Sequence, residues 1–391
     1  MIPLMKSAFL HEAQTLKALS EFILLAPRLS MDEQCRNFEK KFAIFQGTND
    51  AVLFNSGGSA NLAMLQALKN LGRLKDGDCV GFSALTWSTN VMPIIQLGMR
   101  PIPIDCSLET LNVMSDNLLQ TLELCPVKAL FLTNVLGFVG DLAKIRQVCV
   151  EKNIILIEDN CESLGSEIAE GKSGSFGIMS SFSFFVAHHM SSIEGGMVCT
   201  NDSELGEMLR IVRANGWDRN LSAEQQHKWR KRFDIHSEFE AKYTFYDLGY
   251  NLRPTEITGF LGTYQMQFLE STIQLREKHF LRLESSAKNN SEFLFLKHAH
   301  MTRLSNFAYP VICKNNETRE KYIRQFSGAG IEIRPLIAGN MTRQPFFSKY
   351  DKTTYHLPNT DFFHSCSFYF GNYPELSEND LENISSCLMP Y

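Results

Sequence analysis

Two adjacent imidazoles, His188 and His189, follow an apolar run in "SFSFFVAHHMSSIEGGMVCT" (residues 181–200) and precede Glu194-Gly195-Gly196. An imidazole changes charge near neutral pH, so His188 is a candidate for moving protons on and off a substrate. Three further stretches could bind a cofactor. "NSGGSANL" (55–62) sets Gly57, Gly58 and Ser59 between an apolar strand and a helix start. Free N–H groups at a helix start hold anions, and glycines let a phosphate come close. In "LIEDNCESLG" (156–165), Asp159 directly follows an apolar strand. A carboxylate there can pair with a pyridinium N–H and keep such a ring protonated as an electron sink. Trp87, in "SALTWSTN", could stack on a flat ring, and Ser183 could ligate a phosphate. Each residue also has a plain alternative: a structural histidine, a strand–helix turn, an N-cap aspartate, a core tryptophan, an exposed strand serine.

These residues need a scaffold that brings strand ends together, and the chain predicts one. "DAVLFNS", "DCVGFSA", "RPIPIDC", "VKALFLTNV" and "IILIEDN" read as strands. "SANLAMLQALKNLG", "STNVMPIIQLG" and "LAKIRQVCVEKN" read as the helices between them, the first closed by Gly72. The alternation predicts an α/β fold, a mostly parallel sheet between helices with ligands at the carboxyl ends of its strands. The apolar run before His188 reads as a further strand reaching the two histidines, which would turn their side chains to opposite faces. "NLRPTEITGFLGTYQMQFLESTIQLREKHF" reads as one long helix leading into a smaller α+β unit. In that unit "NFAYPVIC", "GIEIRPLI" and "SCSFYFG" are strands and "NETREKYIRQFSGAG" a helix. The expected domains are therefore 1–251, binding the cofactor, and 252–391. Residues 218–245 are charged, lack periodicity and read as a long mobile loop.

With 391 residues, 44% hydrophobic and 21% charged, the chain has the composition of a soluble globular protein. A net charge of −5 argues against nucleic acid as a partner. The N-terminus lacks the basic flank, apolar run and cleavage site of a signal peptide, and no uninterrupted apolar stretch suits a membrane span. The ten cysteines are scattered without a CxxC or CxC pair, which predicts reduced thiols, a cytoplasmic location and no metal site.

The succession "SGGSAN", "TWST", "EDNCESLG", "SFSFF", "EGG" and "GYNLRPTEITG" resembles, over nearly the whole chain, the DegT/DnrJ/EryC1/StrS nucleotide-sugar aminotransferases. These have the fold type I, aspartate aminotransferase-like architecture and depend on pyridoxal 5'-phosphate. The resemblance implies a homodimer with shared active sites. Gly57, Gly58 and Ser183 would hold the cofactor phosphate, Trp87 would cover the ring, and Asp159 would pair with its nitrogen. Glu162 would lie near the ring hydroxyl, where aminotransferases usually carry glutamine, and Asn251 would reach the phosphate of the partner subunit. In those enzymes the residue before N-x-x-x-x-E-G-G is the lysine that forms a Schiff base with the cofactor. Here it is His188, which cannot form that bond but can transfer protons. "AHHM…EGG", "NGWDRN" and "EIRPLIAGN" resemble one subgroup, the pyridoxamine 5'-phosphate-dependent 3-dehydratases of 3,6-dideoxy sugar biosynthesis. Their substrates are nucleotide-linked 4-keto-6-deoxy sugars, and glutamate serves as amino donor. Substrate contacts would fall on Asn215, Arg219, Arg253, Arg334 and Asn340, although the subgroup has histidine where Asn215 stands. One branch carries an iron–sulfur cluster on a Cys-x-Cys after "GW". "GWDRNLSAEQQHKWRKRF" has no cysteine, which points to the cluster-free branch acting on GDP-4-keto-6-deoxy-mannose. The alternatives are a nucleotide-sugar 4-aminotransferase using another lysine, and a non-catalytic family member that binds sugar or protein.

Overall fold

The computed structural model describes residues 1–390; Tyr391, the last residue of the expected second domain, lies outside them. The first nine strands are β1 (Asp50–Phe54), β2 (Cys79–Ser83), β3 (Arg100–Ile104), β4 (Ala129–Thr133), β5 (Ile155–Asp159), β6 (Glu167–Ile168), β7 (Gly171–Lys172), β8 (Met179–Ser183) and β9 (Gly196–Thr200). All but β6 and β7 form one sheet in the order β1-β9-β8-β5-β4-β2-β3. The pairs among β8, β5, β4, β2 and β3 are parallel, and β9 alone runs against its neighbours β1 and β8. Helices on both faces bury these strands, which is why most of them read as apolar runs; β8, Met-Ser-Ser-Phe-Ser, instead buries three serines.

The sheet's carboxyl ends gather the polar residues. β1 delivers Ser56, whose hydroxyl caps the helix Gly57–Asn70 by accepting the Ser59 N–H at 3.1 Å. Gly196 opens β9 against this turn. A Cβ there would lie 2.2 Å from the Ser56 carbonyl oxygen, so only glycine lets the strand come so close.

Ahead of the histidines the expected strand stops early. β8 ends at Ser183, and His188 and His189 lie on a turn beyond it, the His188 N–H donating to the Phe185 carbonyl at 2.9 Å. Apolar residues continue past the strand end because Phe184 packs with Phe38 and Phe42 in a core cluster. Similarly, "STNVMPIIQLG" yields a 3-10 turn at Ser88–Asn90 and a short helix at Met92–Gln96, with Pro93 in its first turn.

Residues 218–245 are not a structureless loop. They hold a 3-10 turn at Asp218–Asn220 and the helices Ala223–Arg232 and Glu238–Ala241. Ser222 and Gln225 form a reciprocal capping box on the first of these helices. Buried Trp229 anchors it, donating to Glu207 at 2.8 Å and packing on Phe233 and Tyr246.

The helix Glu256–Ala287 has 32 residues, about 48 Å at 1.5 Å per residue. Its Leu269 and Ile273 pack in the cluster with Phe38 and Phe42, while Phe280 and Leu283 enter a second core farther on. That second core is built on β10 (Phe293–Leu294), β12 (Ala308–Cys313), β13 (Ile333–Pro335) and β14 (Ser367–Gly371), after β11 (Met301–Arg303), which pairs with β6. Ile2 belongs to it too, bridging to Ile331. No helix of the described residues is long and apolar enough to cross a membrane.

Candidate active site

A cavity of about 390 Å³ opens at the carboxyl ends of β1, β5 and β8, and Gly57, Gly58, Trp87, Asp159, Glu162, Ser183 and His188 all line it. Seven residues spread over 132 positions of sequence thus meet in one place. Among the described residues the N–H groups of Gly57 and Gly58 have no acceptor, so they remain available to an anion. A Cβ at Gly57 would sit 2.7 Å from Ser183 Cβ, so the glycine is what lets the Ser183 hydroxyl reach this helix start. Ser59 stands just behind, its hydroxyl accepting from Ser56 at 3.0 Å.

Across the cavity, buried Asp159 is held by three donors. Its Oδ2 accepts from Asn61 Nδ2 at 2.8 Å and Asn90 Nδ2 at 2.7 Å, and its Oδ1 from the Cys161 N–H at 2.9 Å. The Ser181 hydroxyl donates to Asn61 Oδ1 at 2.6 Å, which fixes that amide with its NH2 toward the carboxylate. Asn61 and Asn90 were not singled out from the sequence. Their signal is a polar side chain on an inward-facing position, legible only once the partner across the sheet is known.

Glu162 accepts the Leu136 N–H at 2.9 Å. Burial pushes its carboxyl up to about 8, with the nearby Asp159 charge adding to the rise. His188 shows the opposite effect: burial pushes its imidazole down to about 4, Arg276 adds to the drop, and Asp159 opposes it. At neutral pH the pair is therefore a protonated acid and an unprotonated base. His189 turns away from the cavity, its Nε2 2.9 Å from the Ser305 carbonyl, and burial lowers it to about 3. Both imidazoles are harder to protonate folded than at their ordinary 6.5. Their contribution to stability is thus full above pH 6.5 and declines as the pH falls toward 4 and then 3. Raised carboxyls such as Glu162 act in the opposite sense above pH 4.5, so the check is a difference: between pH 6.5 and 3 the denaturant midpoint of the wild type should fall relative to that of His189→Asn in equilibrium unfolding.

Trp87, 55% exposed, stands at the cavity mouth. Tyr369, Phe307, Cys161 and Glu194 also line the wall. The remaining sequence-named residues do not line the cavity within one chain. Asn251 is exposed and accepts from Arg253 Nε at 3.1 Å. Asn215, at φ 60°, donates its N–H to Tyr250. Arg219 lies over the Trp217 ring in a separate groove with Arg36 and Lys40. Arg334 pairs with Glu332 at 2.5 Å on the surface. Asn340 is buried, donating to Asp361 at 2.6 Å and accepting from Thr342. All ten cysteines are unpaired, and among the described residues no three His, Cys, Asp or Glu side chains are grouped to hold a metal ion.

The arrangement can seat a phosphate at one end, pin a cationic ring nitrogen at the other, cover a flat ring, and present a neutral imidazole beside it. The chain is 32% identical over 372 residues to GDP-4-keto-6-deoxy-D-mannose 3-dehydratase of Yersinia pseudotuberculosis, covering 92% of this chain and 91% of that one. The solved structure of the E. coli GDP-4-keto-6-deoxy-D-mannose-3-dehydratase with bound hydrated PLP superposes with a TM-score of 0.90 at 30% identity, over 99% of both chains. A structure of GDP-4-keto-6-deoxymannose-3-dehydratase with a trapped PLP-glutamate geminal diamine gives the same TM-score of 0.90, over 99% of this chain and 100% of that one. The family model of the DegT/DnrJ/EryC1/StrS aminotransferases matches residues 12–389, and the chain belongs to that family.

Proposed function

We propose that this chain is a pyridoxamine 5'-phosphate-dependent 3-dehydratase. It removes the C3 hydroxyl of a nucleotide-linked 4-keto-6-deoxy sugar, GDP-4-keto-6-deoxy-mannose or a close analogue, in dideoxysugar biosynthesis. The observation that carries this reading is a cavity with His188 on its wall and no lysine among its lining residues. An ordinary aminotransferase needs that lysine. When bound, the cofactor supplies an amine that condenses with the C4 ketone and a ring that delocalises the electrons released. The N–H groups of Gly57 and Gly58, with the Ser183 hydroxyl, would bind its phosphate. Asp159, aligned by Asn61 and Asn90, would keep its ring nitrogen protonated, and Trp87 would shield the ring face from water. His188 would take a proton from the cofactor's C4' carbon and deliver one to the C3 oxygen, which leaves as water; hydrolysis then yields the 3-deoxy-4-keto sugar, ammonia and the aldehyde form of the cofactor. Glutamate restores the amine form of the cofactor.

A homodimer would complete the site by bringing the partner's Asn251 to the phosphate. Exposed Phe239, Tyr243, Phe245 and Leu248, next to it in sequence, support such an interface. Unpaired thiols suit work in the reducing cytoplasm.

The test is direct. Incubated with cofactor, glutamate and GDP- or CDP-linked 4-keto-6-deoxy sugars, the chain should release a 3-deoxy product identified by mass spectrometry. Borohydride should leave its intact mass unchanged. An amino-sugar product, or a phosphopyridoxyl-lysine adduct, would sink the reading.

Glu162 provides a second check. Below pH 8 it is protonated and offers one donor and one acceptor, as a glutamine amide does. Glu162→Gln should bind cofactor within about threefold of wild type at pH 7. It should also lack the weakening that the wild type shows as pH rises through 8. Absorbance titration of the cofactor at pH 7 and 9 reads both.

A further inference from the structure

We propose that Arg276 is the positioning residue for His188, its guanidinium clamping the main chain of the histidine turn from the long helix. The inference rests on the role of His188 given above. Arg276 is 4% exposed. Its Nη1 donates to the carbonyls of Phe307, at 3.0 Å, and Asn372, and its Nη2 donates to the carbonyl of His188 itself at 3.3 Å. Asn372 closes the network, donating to the Arg276 carbonyl at 2.9 Å.

Among the described residues no carboxylate forms an ion pair with this guanidinium. Glu375, whose field reaches it, accepts instead from the Ser7 hydroxyl at 3.0 Å. An uncompensated buried cation is expensive, and methionine would fill the same volume. What the charge does reach is the turn carrying the base. Three carbonyls from the C-terminal sheet and the histidine turn converge on one planar fork, a geometry that arginine spans and lysine does not. His188 shares the cavity with Asp159, Cys161, Glu162, Glu194 and Tyr369, lies beside His189, and shares a second, smaller pocket with Arg276, Tyr373 and Glu375. Arg276 is the only fixed cation among them, and it favours the proton-accepting form of the imidazole.

The experiment uses the full-length, cofactor-loaded protein with isotope-labelled histidine, the His188 signal being assigned by its loss in His188→Asn. In Arg276→Met the NMR titration midpoint of His188 should rise by a few tenths of a pH unit. The acid limb of kcat should move the same way, while the sugar KM stays within about twofold of wild type. Arg276→Lys should leave the midpoint in place, because the charge remains, yet lower kcat about tenfold, because the fork is gone. If Arg276→Met does not fold, Arg276→Gln takes its place. An unshifted midpoint in the neutral variant, or wild-type kcat in Arg276→Lys, overturns the proposal. A wild type that dehydrates no sugar would refute the reaction but not the clamp, which the titration still decides.

Discussion

His188→Asn should bind cofactor and nucleotide sugar as the wild type does, yet lose dehydration by about a hundred- to ten-thousand-fold, the range for removing a general acid–base group. Asparagine keeps the polarity and most of the volume but cannot accept a proton. The loss should therefore fall on kcat, with little change in KM, in steady-state assays. His188→Lys should restore a borohydride-fixable cofactor linkage and divert product toward amino sugar. His189 provides the internal control. It bonds the Ser305 carbonyl at 2.9 Å and does not line the cavity, so His189→Asn should cost stability more than turnover. If His189→Asn were the inactive variant and His188→Asn nearly normal, the role would belong to the neighbouring residue.

The largest stability loss should come from Glu39→Ala. Arg213 and Glu39 form a 2.6 Å ion pair with side chains only 1% and 8% exposed. Removing the glutamate strands a buried guanidinium, which costs about 3–5 kcal/mol, a large part of an ordinary protein's stability. A second loss adds to it. β1 is an edge strand, and this pair satisfies its outward backbone: the Leu53 N–H donates to Glu39 at 2.9 Å, and Arg213 donates to the Leu53 carbonyl at 2.7 Å. The double variant Glu39→Leu with Arg213→Met should recover only part of the stability, because both Leu53 groups then lack partners. Equilibrium guanidinium unfolding of the wild type and both variants measures this; a Glu39→Ala loss below about 1 kcal/mol would place the pair with ordinary surface bridges.

The parallel core, and the residues that meet in the cavity at its edge, could be read in advance. Strands buried on both faces are largely apolar, so an end shows where polar residues follow the run, as at Asp159 and Ser56. The end of β8 could not be seen this way. Phe184 continues the apolar pattern because it serves a core beneath the strand, so the histidines seemed to extend β8 when they lie on a turn. The helix Ala223–Arg232 was hidden for a different reason. It buries one side chain, Trp229, and is held largely by Glu207, which bonds Lys228 and Trp229 from another helix. One buried residue gives no period. Asn61 and Asn90 escaped notice because their partner, Asp159, lies 98 and 69 residues away. No local pattern encodes such a distance.

His188, the base proposed above, sits on a connector, residues 184–195, whose two ends are fastened to each other. Ser183 is paired with Gly196 across β8 and β9, and the Phe184 N–H donates to the Gly195 carbonyl at 2.9 Å. Asp159 takes its three hydrogen bonds from Asn61, Asn90 and Cys161, all outside the connector. A fold built this way can exchange one reaction for another by replacing a short insert, leaving the rest of the machine in register. Transplanting that insert, rather than a single side chain, is the economical route to redirecting this scaffold between removing oxygen from a sugar and adding nitrogen to it.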